Sequence, residues 1–175
     1  MENNFKTALD HVSKWEGGFS NDSNDPGGAT KYGITKRTLR RYRRRKVTTE
    51  EVKNLLRSEA EAIYHELYWD TCRCGEIPSG LDIAVFDCSV NQGPKRAIKF
   101  LQRSLHVKTD GIIGYKTLMA CNENETRRKK ILIDFFTYRS LHYSSLSHFS
   151  FYGRGWLRRV FDTHNLCVEV IGREA

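Results

Sequence analysis

Apolar residues recur at helical spacing along most of the chain. Phe5, Ala8, Leu9, Val12 and Trp15 fall three or four apart. This predicts an opening amphipathic helix that stops at Gly17-Gly18, where glycine takes the left-handed C-terminal conformation without strain. Residues 21–28, Asn-Asp-Ser-Asn-Asp-Pro-Gly-Gly, are nearly all turn formers, and Pro26-Gly27 suits the centre of a type II turn. Phe19-Ser20 and the stretch from Thr30 to Thr35 flank it as the arms of a small hairpin. Thr35 then caps a short basic helix through Leu39 and Tyr42. Thr48 and Glu51 have capping-box spacing. Behind them Val52, Leu55, Leu56, Ala60, Ile63 and Leu67 predict one helix of about four to five turns.

In the second half, Ser79 caps a helix with Leu81, Ala84, Val85 and Cys88 on one face. Pro94 suits the first turn of the next, which carries Ala97, Ile98, Leu101 and Leu105. Asp110-Gly111 and Gly114 form a tight loop before a short helix ending near Cys121. Ile131, Leu132, Phe135, Phe136 and Tyr138 mark a longer helix. Gly153 and Gly155 break the pattern, and Trp156, Leu157 and Val160 begin a last one. The fold class is therefore mainly α, with one small β element near the N-terminus. No internal repeat or low-complexity tract interrupts it. The one internal boundary the sequence offers is Gln92-Gly93-Pro94, dividing 1–92 from 93–175 within one globule.

Composition narrows the class. The chain has 175 residues, 39% hydrophobic, enough for one good core. Charged residues at 29% and aromatic residues at 11% exclude a disordered or collagenous chain. No apolar run approaches the roughly 20 residues that span a bilayer. The first twenty residues lack a basic segment followed by an apolar one, so synthesis in the cytoplasm without a standard signal peptide is expected. The odd count of five cysteines argues against a disulfide framework. Cys72 and Cys74 are too close for the usual zinc spacing. His65-Glu66 resembles a zincin helix only until Trp69, where the second histidine would fall. No metal or organic cofactor is implied.

Net charge is +8, unevenly spread: from Lys36 to Lys46 there are eight basic residues and no acidic one. Smaller clusters run from Arg127 to Lys130 and from Arg154 to Arg159. Such a surface favours an anionic partner, whether nucleic acid, anionic lipid or an acidic wall polymer, unless it is simply a solvated helix face.

Glu16 stands out on physical grounds. It follows Trp15 at the C-terminal end of the opening helix, where the dipole disfavours a carboxylate. Apolar neighbours Trp15 and Phe19 would add desolvation. Both effects raise its pKa, as a general acid near neutral pH requires. Nine residues on, Asp25 stands in a polar turn that leaves it ionised, and Thr30 follows five residues later. Two carboxylates in contrasting surroundings suit glycosidic bond cleavage. A glutamate at a helix end is also an ordinary surface residue, and Asp25-Pro26-Gly27 alone is only a turn.

The run Glu16-Gly-Gly-Phe-Ser-Asn-Asp-Ser-Asn-Asp-Pro-Gly-Gly-Ala-Thr-Lys-Tyr-Gly-Ile-Thr35 resembles the opening motif of glycoside hydrolase family 108, lysozyme-like muramidases found among phage endolysins and secretion-associated proteins. The resemblance continues through Tyr68-Trp69, Phe86-Asp87, residues 90–93, 97–118 and 155–160. It implies a lysozyme-like helical fold with the hairpin beside an active-site cleft. It also implies a catalytic region over 1–92 and a helical peptidoglycan-binding region over 93–175. The implied activity cleaves the β-1,4 bond between N-acetylmuramic acid and N-acetylglucosamine, with Glu16 as the catalytic acid. Asp25 and Thr30 are similar to the hairpin carboxylate and hydroxyl of lysozymes more widely. Serine at position 23, where the motif often has proline, should alter only the loop.

Six further residues are candidates for substrate binding. Asp87 and Asn91 share a helix face and either line the cleft or buttress the hairpin. Tyr32, Trp69, Tyr152 and Trp156 either offer ring faces to sugars or pack in the core. The segment from Asp110 to Thr117 is either a substrate contact or a turn. On the leading reading the partner is peptidoglycan, the enzyme is bacteriolytic, and it acts in the periplasm or at the wall after passage by a holin or an export route. No nucleic acid is expected on that reading. Two alternatives are a basic helical nucleic-acid-binding protein and a non-catalytic wall-binding module.

Overall fold

The computed structural model describes residues 4–15 and 29–173. The chain is mainly α-helical with one two-stranded antiparallel sheet, the lysozyme-like class expected from the sequence. It forms two compact units. One is Leu9–Leu67; the other joins Met1–Ala8 to Tyr68–Ala175. The Gln92-Gly93-Pro94 junction lies inside the second unit, where α5 (Leu81–Gln92) packs against α6 (Pro94–Ser104).

The opening helix α1 runs Phe5–Ser13. It ends earlier than its periodicity suggests because the last turn tightens. The amides of Lys14 and Trp15 bond the carbonyls of His11 and Val12 at 3.2 and 2.9 Å, and the Ser13 hydroxyl donates to the Leu9 carbonyl at 2.8 Å. Gly17, Gly18, Phe19 and Ser20 lie outside the described residues.

The hairpin is more local than expected. Strand β1 (Thr30–Lys31) pairs with β2 (Ile34–Thr35), Thr30 opposite Thr35 and Lys31 opposite Ile34. Tyr32 and Gly33 have φ of 52° and 73°, the left-handed pair that a type I′ turn requires. Thr35 ends the hairpin and caps α2 (Lys36–Arg43), its hydroxyl accepting from the Thr38 amide at 3.1 Å.

The predicted long helix behind Thr48 is broken in two. The capping box is present at the start of α3 (Thr49–Lys53), but α3 closes at Asn54, whose amide bonds the Glu50 carbonyl at 2.9 Å. Leu56 is extended, and α4 (Arg57–Tyr64) starts afresh. The break buries Leu55 while leaving Leu56 67% exposed, so both could not have stayed on one helix face. A π turn, His65–Asp70, follows α4.

In the second unit α5 is the central helix. Every residue from Leu81 to Ser89 is buried, so its sides are covered all round. Its neighbours are α6, α8 (Arg128–Ser144) and α9 (Phe149–Arg173); α7 (Tyr115–Glu123) follows the Asp110-Gly111 loop. Ser79 is not its cap. The cap position is Gly80, and the Asp82 carboxylate reaches back to the Gly80 and Ile83 amides at 2.8 and 2.7 Å. Gly80 has φ of 86°, and a Cβ there would lie 2.7 Å from Ile171 Cγ1 and 3.0 Å from the Cys167 carbonyl oxygen. Gly80→Ala should therefore destabilise the protein by about 1–3 kcal/mol in urea unfolding. An unchanged midpoint would show that α9 yields freely.

The last helix passes straight through Gly153 and Gly155. Glycine costs a helix only about 1 kcal/mol against alanine, and burial along α8 and α5 outweighs it. Gly153 is where it is because a Cβ would meet the Phe149 ring at 2.7 Å. All five cysteines are buried and unpaired, and burial pushes the Cys88 and Cys121 thiols up to about 12. Among the described residues, no helix is long and apolar enough to cross a membrane.

Candidate active site

The hairpin is clamped to the helices that follow it. The Tyr64 hydroxyl donates to the Tyr32 carbonyl at 2.9 Å, and Lys31 Nζ donates to the Lys53 carbonyl at 2.7 Å. The tip so fixed closes one side of a cavity of about 190 Å³. Leu9 and Ser13 from the last turns of α1 form a second side, and Arg57, Glu61 and Tyr64 of α4 a third. Arg57 Nε and Glu61 Oε1 are 3.1 Å apart. Aromatic rings with a few convergent polar groups are what a saccharide site needs. Glu16 comes three residues after Ser13 in the sequence, and Asp25 five before Thr30. Both lie outside the described residues.

Of the remaining sequence candidates, Thr30 is half-buried in β1, and Tyr32, 38% exposed, lines the cavity. The sequence reading missed Tyr64, Arg57 and Glu61. Their spacing along one helix was visible, but nothing marked that face as opposing the hairpin.

Two candidates are placed otherwise than as substrate contacts. Trp69 is 3% exposed, its ring edge-on to Phe5 and Phe86 at 5.4 and 5.5 Å, so it is core. Asp87 is 1% exposed and does not face a cleft. Its carboxylate lies 2.6 Å from Arg139 Nη1 and 2.8 Å from both Arg159 Nε and Nη2. Burial pushes the Asp87 carboxyl up, but Arg139 and then Arg159 outweigh it and hold it below the usual range.

Asn91, Tyr152 and Trp156 do converge, through a residue the sequence did not single out. The Tyr143 hydroxyl donates to Asn91 Oδ1, and its ring stacks on Trp156 with centroids 5.0 Å apart. Tyr152, largely exposed, lies 5.9 Å from Trp156. The Asp110 loop has a clear local role: Gln102 Nε2 donates to Asp110 Oδ1 at 2.9 Å, and its Oε1 accepts from the Gly111 amide at 2.8 Å.

The basic cluster is partly neutralised within its own unit. Arg43 forks onto Glu59 at 2.8 Å and reaches Glu51 at 2.7 Å, while Arg45 reaches Glu51 at 2.6 Å. The Arg45 hydrogen bond, with the Thr48 amide, holds Glu51 down at about 2. That pairing leaves less charge for a nucleic acid than the sequence count suggests. Among the described residues, no group of three or more His, Cys, Asp or Glu side chains is placed to hold a metal ion.

Comparison with known proteins decides the class. Residues 9–93 match the sequence profile described as Glycosyl hydrolase 108. The solved structure of Brucella abortus SagA is similar over almost the whole chain: TM-score 0.88, 36% identity, 98% of this chain and 97% of that one. No curated protein of similar sequence was found. The chain belongs to glycosyl hydrolase family 108. It is a glycoside hydrolase. The family match begins in α1 and ends just after α5, so it contains both the Glu16 motif and the hairpin cavity. The likeness to SagA extends over α6 to α9 as well.

Proposed function

We propose that this family 108 enzyme is an N-acetylmuramidase that cleaves the β-1,4 bond between N-acetylmuramic acid and N-acetylglucosamine in peptidoglycan. Glu16 protonates the glycosidic oxygen as the bond breaks. Asp25 orients the attacking water, and Thr30 helps hold it. The observation that carries this reading is the family match over 9–93, which contains the Glu16 motif. Tyr32 supplies a ring face for the glycan in the hairpin unit, and Asn91, Tyr152 and Trp156 are a separate set of glycan contacts in the other unit. The enzyme acts at the wall, reached through a holin or an export route, in lysis or in wall remodelling.

A carboxylate paired with a hydroxyl suits water placement, so the reaction inverts configuration at the anomeric carbon. Mass spectrometry of digested sacculi should find reducing N-acetylmuramic acid ends. NMR of the nascent product should show the α-anomer first. Reducing N-acetylglucosamine ends would refute the bond assignment, and 1,6-anhydro ends would show that the same bond is broken without water. The β-anomer first would mean retention, with the second carboxylate or the substrate's own acetamido group as nucleophile.

A further inference from the structure

Helix α6 carries Lys95 and Arg96 in its first turn, with no acidic residue there. That end of a helix is the positive pole of its dipole, so cations are disfavoured. Lys95, Lys99 and Arg103 then stand at i, i+4 and i+8, one row along the helix, where like charges repel. None of these four cations has a carboxylate partner among the described residues. Arg96 bonds only the Gln92 carbonyl, at 3.2 Å, and Arg103 lies 5.9 Å over the Tyr138 ring. The lysine stems are braced: a Cβ at Gly111 would lie 3.0 Å from Lys95 Cγ and 3.4 Å from Lys99 Cε.

All four side chains line one cavity of about 510 Å³, together with His142 and Gln92. Gln92 Nε2 is buried with no hydrogen-bond acceptor. Burial, then Arg96, lowers the pKa of His142. The cavity thus gathers uncompensated positive charge, which an anion would relieve.

We propose that this cavity binds an acidic peptide through its carboxylates, and that in the cell wall this is the stem peptide of the glycan. The second half of the statement rests on the muramidase reading; the first does not. A row eight residues long spans about 12 Å, which suits a chain with more than one anionic group rather than a single ion. The arginine forks match carboxylates two atoms at a time. Phe100 and Pro94 add apolar lining for the methyl groups of a short peptide, which a bare phosphate polymer would not use. The cavity is too small to take a nucleic-acid duplex.

The test is calorimetry on the full chain at low ionic strength, with N-acetyl-Ala-γ-Glu-Lys-Ala-Ala as the probe. The free-acid peptide should bind, and its fully amidated form should bind at least tenfold more weakly. A Lys95→Gln, Arg96→Gln, Lys99→Gln, Arg103→Gln variant should lose at least tenfold in affinity while its Tm stays level or rises, because like-charge repulsion is relieved. Peptide binding should also raise the His142 pKa by NMR. Equal affinity for the amidated peptide, or unaltered binding by the variant, would overturn the proposal. So would tighter binding of an oligo(glycerol phosphate) or of single-stranded DNA. Hydrolysis of peptide-free glycan strands tests the muramidase reading separately, so either idea can fail without the other.

Discussion

Glu16→Gln is expected to lower wall hydrolysis by about 10²- to 10⁴-fold, the usual contribution of a positioned general acid. Glutamine keeps the size and the hydrogen-bonding carbonyl but has no proton to give. In the sequence, position 16 comes directly after Trp15, whose amide closes the turn that ends α1. A general acid works only while protonated, so activity of the wild type should fall as rising pH takes the proton from Glu16. Asp25→Asn should depress the rate at every pH and leave that limb in place. Release of reducing ends from purified sacculi, with circular dichroism confirming the fold, measures both. Glu16→Gln clearing walls as fast as the wild type would remove this residue from the mechanism.

Local chemistry proved the most readable part of the sequence. The Thr35 cap, the Thr48–Glu51 capping box and Pro94 at the start of α6 all depend on neighbours a few residues away, and all are present. Periodicity was less safe where two helices share a phase. Val52, Leu55 and Leu56 read as one stripe, yet Leu55 turns inward and Leu56 outward because Asn54 ends the first helix. Glycine misled in the other direction: Gly153 reads as a breaker but is a packing residue inside α9, and Gly80, unremarked, sets the start of α5.

For the site, the decisive signal was a motif rather than a pattern. The Tyr32–Tyr64 clamp spans 32 residues, and spacing alone carries no trace of it. Asp87 shows the same limit: from its helix face it reads equally as lining the cleft or buttressing the hairpin, and the partners it actually has, Arg139 and Arg159, arrive from α8 and α9.

That trio gives the second large effect. Asp87→Asn should destabilise the protein by roughly 3–5 kcal/mol, because it leaves the Arg139 guanidinium buried without its counter-charge and takes one carboxylate from Arg159. Arg139 is fully buried and Arg159 is 6% exposed, so water cannot replace the lost carboxylate. Arg139 has little else to turn to: its Nη2 donates to the Tyr143 hydroxyl at 3.4 Å, and its Nε has no hydrogen-bond partner. For a chain of this size the loss corresponds to a fall in Tm of roughly 6–20 °C. Acid should do gradually what the substitution does at once. The folded pKa of Asp87 is lowered, so the unfolded chain takes up this proton first as pH falls. The contribution is therefore complete above the ordinary aspartate range of about 4 and lost as pH drops through it towards the lower folded value. In Asp87→Asn that acid-dependent component should be missing. A buried ion pair is defined by its partners rather than by favourable burial, so removing all three charges should cost less than removing one. The triple variant Asp87→Leu, Arg139→Met, Arg159→Leu is expected to melt above Asp87→Asn alone. If the single variant melts with the wild type, the carboxylate is not holding the two arginines in place.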